Sequence, residues 1–183
     1  MIRRPHKLTA IDGVITVPLH QVVDPRGDLT TVLASEGPSP SLVQWNLVRS
    51  RAGVIRGIHV HPTYDEYYVP ASGRLFIFLK DARRASPTFG ATLNSWMDGE
   101  EPVAVTVPAG VAHGIAFPDG GVLLYGLSDA WTGMGEIGCR WDDEALDIDW
   151  PVLSPILSPR DANAGSYDEM LQRLDAEAIR SPV

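Results

Sequence analysis

The chain has 183 residues, 44% of them hydrophobic and 21% charged, which suits one folded domain and excludes a disordered polymer. A net charge of -8 excludes the broad basic surface that a general nucleic-acid binder needs. A single cysteine, Cys139, excludes an internal disulfide and any cysteine metal cluster.

The first seven residues, Met1 to Lys7, are basic but lead into no apolar stretch. Neither a signal peptide nor a membrane-length run is expected, and the chain is assigned to the cytoplasm. Strand-like runs follow at Val14–Leu19, Leu29–Leu33 and Leu42–Val48, with turns at Asp24-Pro-Arg-Gly and Glu36-Gly-Pro-Ser-Pro between them. Arg74 to Lys80 is densely apolar, as in a strand buried on both faces. Pro102–Val107 and Gly121–Leu127 add further strands, punctuated by Gly- and Pro-containing turns. Such spacing predicts an all-β antiparallel sandwich or barrel. Asp142–Pro159, rich in Asp, Trp and Pro, reads as an extended strap over its surface. Ser166 and Glu169 form a capping box, and Met170, Leu171, Leu174 and Ile179 share one face, which predicts a short C-terminal helix over 167–180. One domain, 1–183, is expected: a barrel at about 13–140, then the strap and helix at about 141–183.

Three of the five histidines cluster with a carboxylate. His59 and His61 are two apart and share a face if both lie on one strand. Glu66 could return to that face on an adjacent strand. His113 follows Pro108-Ala-Gly and lies on a third strand. His59, His61, Glu66 and His113 together form a plausible nitrogen and oxygen ligand set for one divalent metal, Fe, Mn, Ni or Zn.

Gly53, His59, His61, Glu66 and Gly73 resemble the first motif of the cupin superfamily, and Pro108, Gly110 and His113 resemble most of the second. Pro102 and Phe117 stand where the second motif would open with Gly and close with Asn. The resemblance implies a double-stranded β-helix barrel of the jelly-roll type. A longer series resembles the dTDP-4-dehydrorhamnose 3,5-epimerase family, itself cupin-like. It runs from Asp24-Pro-Arg26-Gly through Gln44-Trp-Asn46, Arg56-Gly-Ile-His59, Ser86-Pro-Thr-Phe-Gly90, His113 and Tyr125 to Trp150-Pro and Leu157-Ser-Pro-Arg-Asp161. By this resemblance His59 is the base that removes a proton beside the ketone of a nucleotide-linked 4-keto-6-deoxysugar, and Asp161 is its carboxylate partner. Arg26 and Arg56 would hold phosphate or enolate charge. Arg56 is expected to turn inward if its strand is regular. Gln44, Asn46 and His113 would line the sugar pocket; Trp131, read as an aromatic side chain, either packs structurally or stacks on sugar or base. A homodimer is implied, with no nucleic-acid or membrane partner.

Three positions depart from the family pattern, His61 standing where the family has Gln or a similar residue. The family's lysine corresponds to Glu66, and its proton-donating tyrosine corresponds to Trp131. The only lysines, Lys7 and Lys80, do not fit the vacated place. A glutamate there opposes an enolate unless a cation sits beside it, and His61 with Glu66 completes the metal set. Three readings follow. The first is an isomerase related to the family, which needs no cofactor if the ordinary mechanism applies. The second is a metal-dependent cupin of another class, such as an oxygenase, lyase or decarboxylase. The third is a non-catalytic sugar-nucleotide binder.

Overall fold

The computed structural model describes residues 11–33, 41–131 and 136–180. The Glu36 to Pro40 turn and Lys7 lie outside the described residues. The strands are β1 (Ile15–Pro18), β2 (His20–Asp24), β3 (Gly27–Thr31), β4 (Gln44–Ser50), β5 (Val54–Val60), β6 (Glu66–Ser72), β7 (Arg74–Asp81), β8 (Thr92–Asp98), β9 (Val103–Val107), β10 (Val111–Phe117), β11 (Gly121–Leu127) and β12 (Ile137–Gly138). Two antiparallel five-stranded sheets face each other, in the orders β1-β9-β6-β11-β4 and β12-β5-β10-β7-β8. The all-β jelly-roll expectation therefore holds.

Alternation along the strands sorts the side chains into layers. On β7, Leu75, Ile77 and Leu79 point between the sheets and join Val111, Ile115 and Phe117 from β10. Phe76 and Phe78 point outward, where Leu146 and Trp150 of the strap and Met170, Leu171 and Leu174 of the C-terminal helix cover them. That double burial explains why Arg74 to Lys80 reads as a continuous apolar run.

The strap does more than lie over the surface. It carries a 3-10 turn at Glu144–Leu146 and inserts Leu146, which is fully buried, into the outer core. Farther on it is stitched to β5: the Ile156 N–H donates to the Gly53 carbonyl at 2.8 Å, and the Ile55 N–H donates to the Ile156 carbonyl at 3.2 Å. Two helices follow, α1 (Pro159–Ala162) and α2 (Tyr167–Arg180). The α2 bounds match the sequence expectation. Its capping box is formed both ways: the Glu169 N–H donates to Ser166 Oγ at 3.2 Å, and the Ser166 N–H donates to Glu169 Oε2 at 2.8 Å.

One stretch expected as a single strand is half of a hairpin. β2 and β3 pair around Pro25-Arg26, with Asp24 opposite Gly27, and form a two-stranded ribbon outside both sheets.

Candidate active site

A cavity of about 430 Å³ opens between the two sheets and the strap. β5 and β10 supply Arg56, His59 and His113, and His61 follows directly after β5. A β-bulge governs this wall. His113 pairs with His59, but the next residue, Gly114, pairs with Gly57, so Ile58 has no opposite number. Arg56 and His59 are three apart and would point to opposite faces of a regular strand. The bulge turns both into the cavity, so the inward Arg56 depends on irregularity, contrary to the expectation from a regular strand. Gly57 has φ +120°, and a Cβ there would lie 2.6 Å from the Gly114 Cα, so no larger residue permits this approach.

His59 meets a carboxylate 102 positions away. Its Nε2 lies 2.8 Å from Asp161 Oδ1. Local sequence aims that carboxylate: Ser158 caps α1 by accepting from the Asp161 N–H at 3.1 Å, and Pro159 occupies the first turn. Asp161 is thereby buried at the start of a one-turn helix tied to β5 through Ile156. Burial pushes the Asp161 pKa up, but the hydrogen bond and charge of His59 and the Arg160 guanidinium outweigh it and hold the group at about 2. Burial pushes His59 down, against the pull of Asp161, so its ring is neutral near neutral pH. Among the described residues its Nδ1 makes no hydrogen bond.

The second cluster is His61, Glu66 and His113, all buried, with one donor atom from each lying within 4.8 Å of the others. Glu66 arrives from the opposing sheet on β6, not from the strand adjacent to His59 as expected. Its Oε2 is 2.9 Å from His113 Nε2 and 3.5 Å from His61 Nε2, and the Tyr68 hydroxyl makes a short hydrogen bond to it. His113 Nδ1 faces the Val111 carbonyl at 3.1 Å. Burial would raise Glu66, yet His113, His61 and Tyr68 together pull it down, while Glu66 in turn raises His113 against its own burial. Burial lowers His61 to about 3, and its ring stacks on Tyr64 at 4.4 Å. His59 stands outside this cluster. The four-ligand set read from sequence becomes three, because the His59 ring is turned to Asp161.

The other predicted residues divide. Arg56 lines the cavity and donates from Nε to Ser50 Oγ at 3.0 Å. Trp131 lines it at 48% exposure, its indole N–H donating to Glu136 at 2.9 Å. Gln44 and Asn46 stand behind that wall: the Trp131 backbone N–H donates to Gln44 Oε1 at 3.1 Å, and the Gln44 amide donates to Asn46 at 3.0 Å. Arg26 is not brought to the cavity of its own chain. It lies in the turn of the β2–β3 hairpin, 89% exposed and paired with Asp24.

The sequence assigns no role to Tyr125 and Arg160, whereas Tyr64, with Tyr67 and Tyr68, is a candidate substitute for the family's acid, with strand packing as the alternative. Tyr64 and Tyr125 line the wall around Glu66, and burial keeps both phenols protonated. Arg160 approaches both members of the His59–Asp161 pair. Its position immediately before Asp161 is the one sequence signal that could have marked it.

A neutral imidazole backed by a buried carboxylate can take a proton from carbon, and cations with protonated phenols around it can serve the anion left behind. The family model described as dTDP-4-dehydrorhamnose 3,5-epimerase matches residues 8–169. A dTDP-4-dehydrorhamnose 3-epimerase of Streptomyces niveus is 35% identical over 164 residues, covering 84% of this chain and 79% of that one. NovW, a 4-keto-6-deoxy sugar epimerase from the novobiocin cluster of Streptomyces spheroides, superposes with a TM-score of 0.83 at 33% identity, over 95% of this chain and 90% of its own. ChmJ, a 3'-monoepimerase from Streptomyces bikiniensis in complex with dTDP-quinovose, gives a TM-score of 0.80 at 28% identity, over 97% and 91%.

Proposed function

Because the chain belongs to the dTDP-4-dehydrorhamnose 3,5-epimerase family, we propose that its cavity binds a dTDP-linked 4-keto-6-deoxysugar and inverts a carbon next to the ketone. The observation that carries this reading is the 2.8 Å contact between His59 and the buried Asp161. The carbonyl acidifies the neighbouring C–H. Neutral His59 accepts that proton, and the Asp161 carboxylate stabilises the imidazolium that forms. The electron pair moves into the enolate, whose charge the cavity-lining Arg56 would offset. Inversion then requires a proton delivered to the opposite face of the same carbon, and the protonated Tyr64 phenol on the cavity wall is the candidate donor, its phenolate being reprotonated from solvent.

By the family resemblance Trp131 corresponds to the proton-donating tyrosine, and an indole N–H is no useful acid. We assign inversion at a single carbon, in keeping with the 3-epimerase and 3'-monoepimerase named among the similar proteins. Trp131 would serve instead as a stacking surface for sugar or base. The test is deuterium uptake from D2O into dTDP-4-keto-6-deoxyglucose, followed by NMR. The wild-type protein should label one ring carbon, and His59→Asn should slow labelling by about 10²–10⁴-fold. Undiminished labelling in the variant would reject His59 as the base, and binding without any labelling would indicate a non-catalytic relative.

The His61, Glu66 and His113 cluster favours a second element of the reading, a divalent cation. Two imidazoles and a carboxylate suit such an ion, and the Val111 carbonyl facing His113 Nδ1 leaves Nε2 available as a ligand. When bound, the cation would supply the positive charge that the family's lysine supplies. The metal content of the purified protein decides this: near-stoichiometric metal, lost in His61→Ala, is expected. A metal-free protein with full labelling activity would remove the cation from the mechanism.

We also assign a homodimer. Val22, Val23 and Leu29 leave an apolar surface on the β2–β3 hairpin, from 52% to 75% exposed, and β4 presents Leu47 at the edge of its sheet. Arg26 on the same hairpin could serve a cavity only if a second copy receives it.

A further inference from the structure

Two groups approach one ring nitrogen of His59. Asp161 Oδ1 lies 2.8 Å from Nε2, and Arg160 Nη2 lies 2.9 Å from the same atom. An imidazole nitrogen offers one in-plane position. When it carries a proton it donates to the carboxylate, and when it does not it accepts from the guanidinium. The two bonds are exclusive, and each corresponds to a different neutral tautomer. With the proton on Nε2, His59 keeps a lone pair on Nδ1 and can act as a base there. With Arg160 on Nε2, the proton sits on Nδ1 and that nitrogen is blocked.

Arg160 has alternative partners within reach. Its side chain is 51% exposed, its Nε lies 3.1 Å from Asp161, and its Nη1 pairs with Glu136. It also lines the cavity, where among the described residues the only other lining arginine, Arg56, has its Nε committed to Ser50. A planar fork held between carboxylates at a cavity wall is suited to a diphosphate.

We propose that Arg160 is a positioning residue that competes with Asp161 for His59 Nε2, and that the diphosphate of the substrate draws its guanidinium away, leaving His59 in the Nε2–H tautomer that serves as the base. The inference rests on His59 being that base. It couples readiness of the base to occupation of the anion site, so that the ring is set for proton removal only with a nucleotide-linked sugar in place.

The test is long-range 1H–15N NMR of the full chain with 15N-labelled histidine, His59 being assigned by the signals missing in His59→Asn. In the free protein the two ring nitrogens should show averaged shifts, from exchange between tautomers. Adding dTDP, which carries the diphosphate and no sugar to react, should move them to the Nε2–H pattern. Arg160→Gln should show that pattern without dTDP, and Arg160→Lys, which keeps a charge but not the fork, should fall between. Identical patterns in the free protein, the dTDP complex and Arg160→Gln overturn the proposal. If that happens while His59→Asn abolishes labelling, the epimerase reading stands and this inference falls. If His59→Asn retains full labelling, the reading beneath it falls first.

Discussion

Asp81 has no solvent exposure, and its carboxylate accepts from Arg83, Ser86 and Thr88 at 2.6–2.8 Å. Burial alone would raise its pKa, but these donors overcome that and hold it at about 2. A depressed carboxylate stabilises the fold fully above its unfolded value of 3.8 and loses that contribution as pH falls toward 2. We expect urea midpoints to drop across that window, and Asp81→Asn to lose about 2 kcal/mol at pH 7 while flattening the acid limb. A variant with an unchanged acid limb would assign the acid sensitivity elsewhere. Nothing in the sequence marked Asp81, because its partners come from a turn whose shape depends on packing. Glu66 was marked only by its spacing from His59 and Gly73. The residue type was legible there, but the sheet that carries it was not.

At the scale of elements, local rules performed best where the chain alone decides the outcome. The α2 helix is read from its cap and its apolar spacing, and both are properties of nearby residues. Ser166→Ala should cost about 1 kcal/mol by thermal or chemical unfolding, with the cavity untouched. A loss of labelling activity in that variant would mean that α2 acts on the site. β5 shows the opposite case. Its bulge at Ile58 depends on backbone contact between Gly57 and Gly114, two residues on neighbouring strands. Period-2 alternation cannot foresee an extra residue, so the inward turn of Arg56 was expected for the wrong reason. The strap was read as extended from its prolines, yet Leu146 and Trp150 anchor it as part of the outer core.

For the whole molecule, the exposed hairpin apolar surface predicts self-association. Val23→Glu combined with Leu29→Glu should halve the mass measured by light scattering, because both side chains are at least 70% exposed in the single chain. An unchanged mass would place the interface elsewhere or leave the protein monomeric. Composition and turn spacing were enough to determine an all-β sandwich or barrel with a C-terminal helix, since these depend on residue type and local periodicity, while His59 and Asp161 were paired only by the resemblance to a known family. Only the tertiary structure decided what each group touches. It turned His59 to Asp161 and away from His61, Glu66 and His113, placed Arg26 outside the cavity of its own chain and brought Arg160 to His59. Those outcomes depend on how two sheets and a strap from distant parts of the chain close on one another, and a one-dimensional pattern carries no record of that distance.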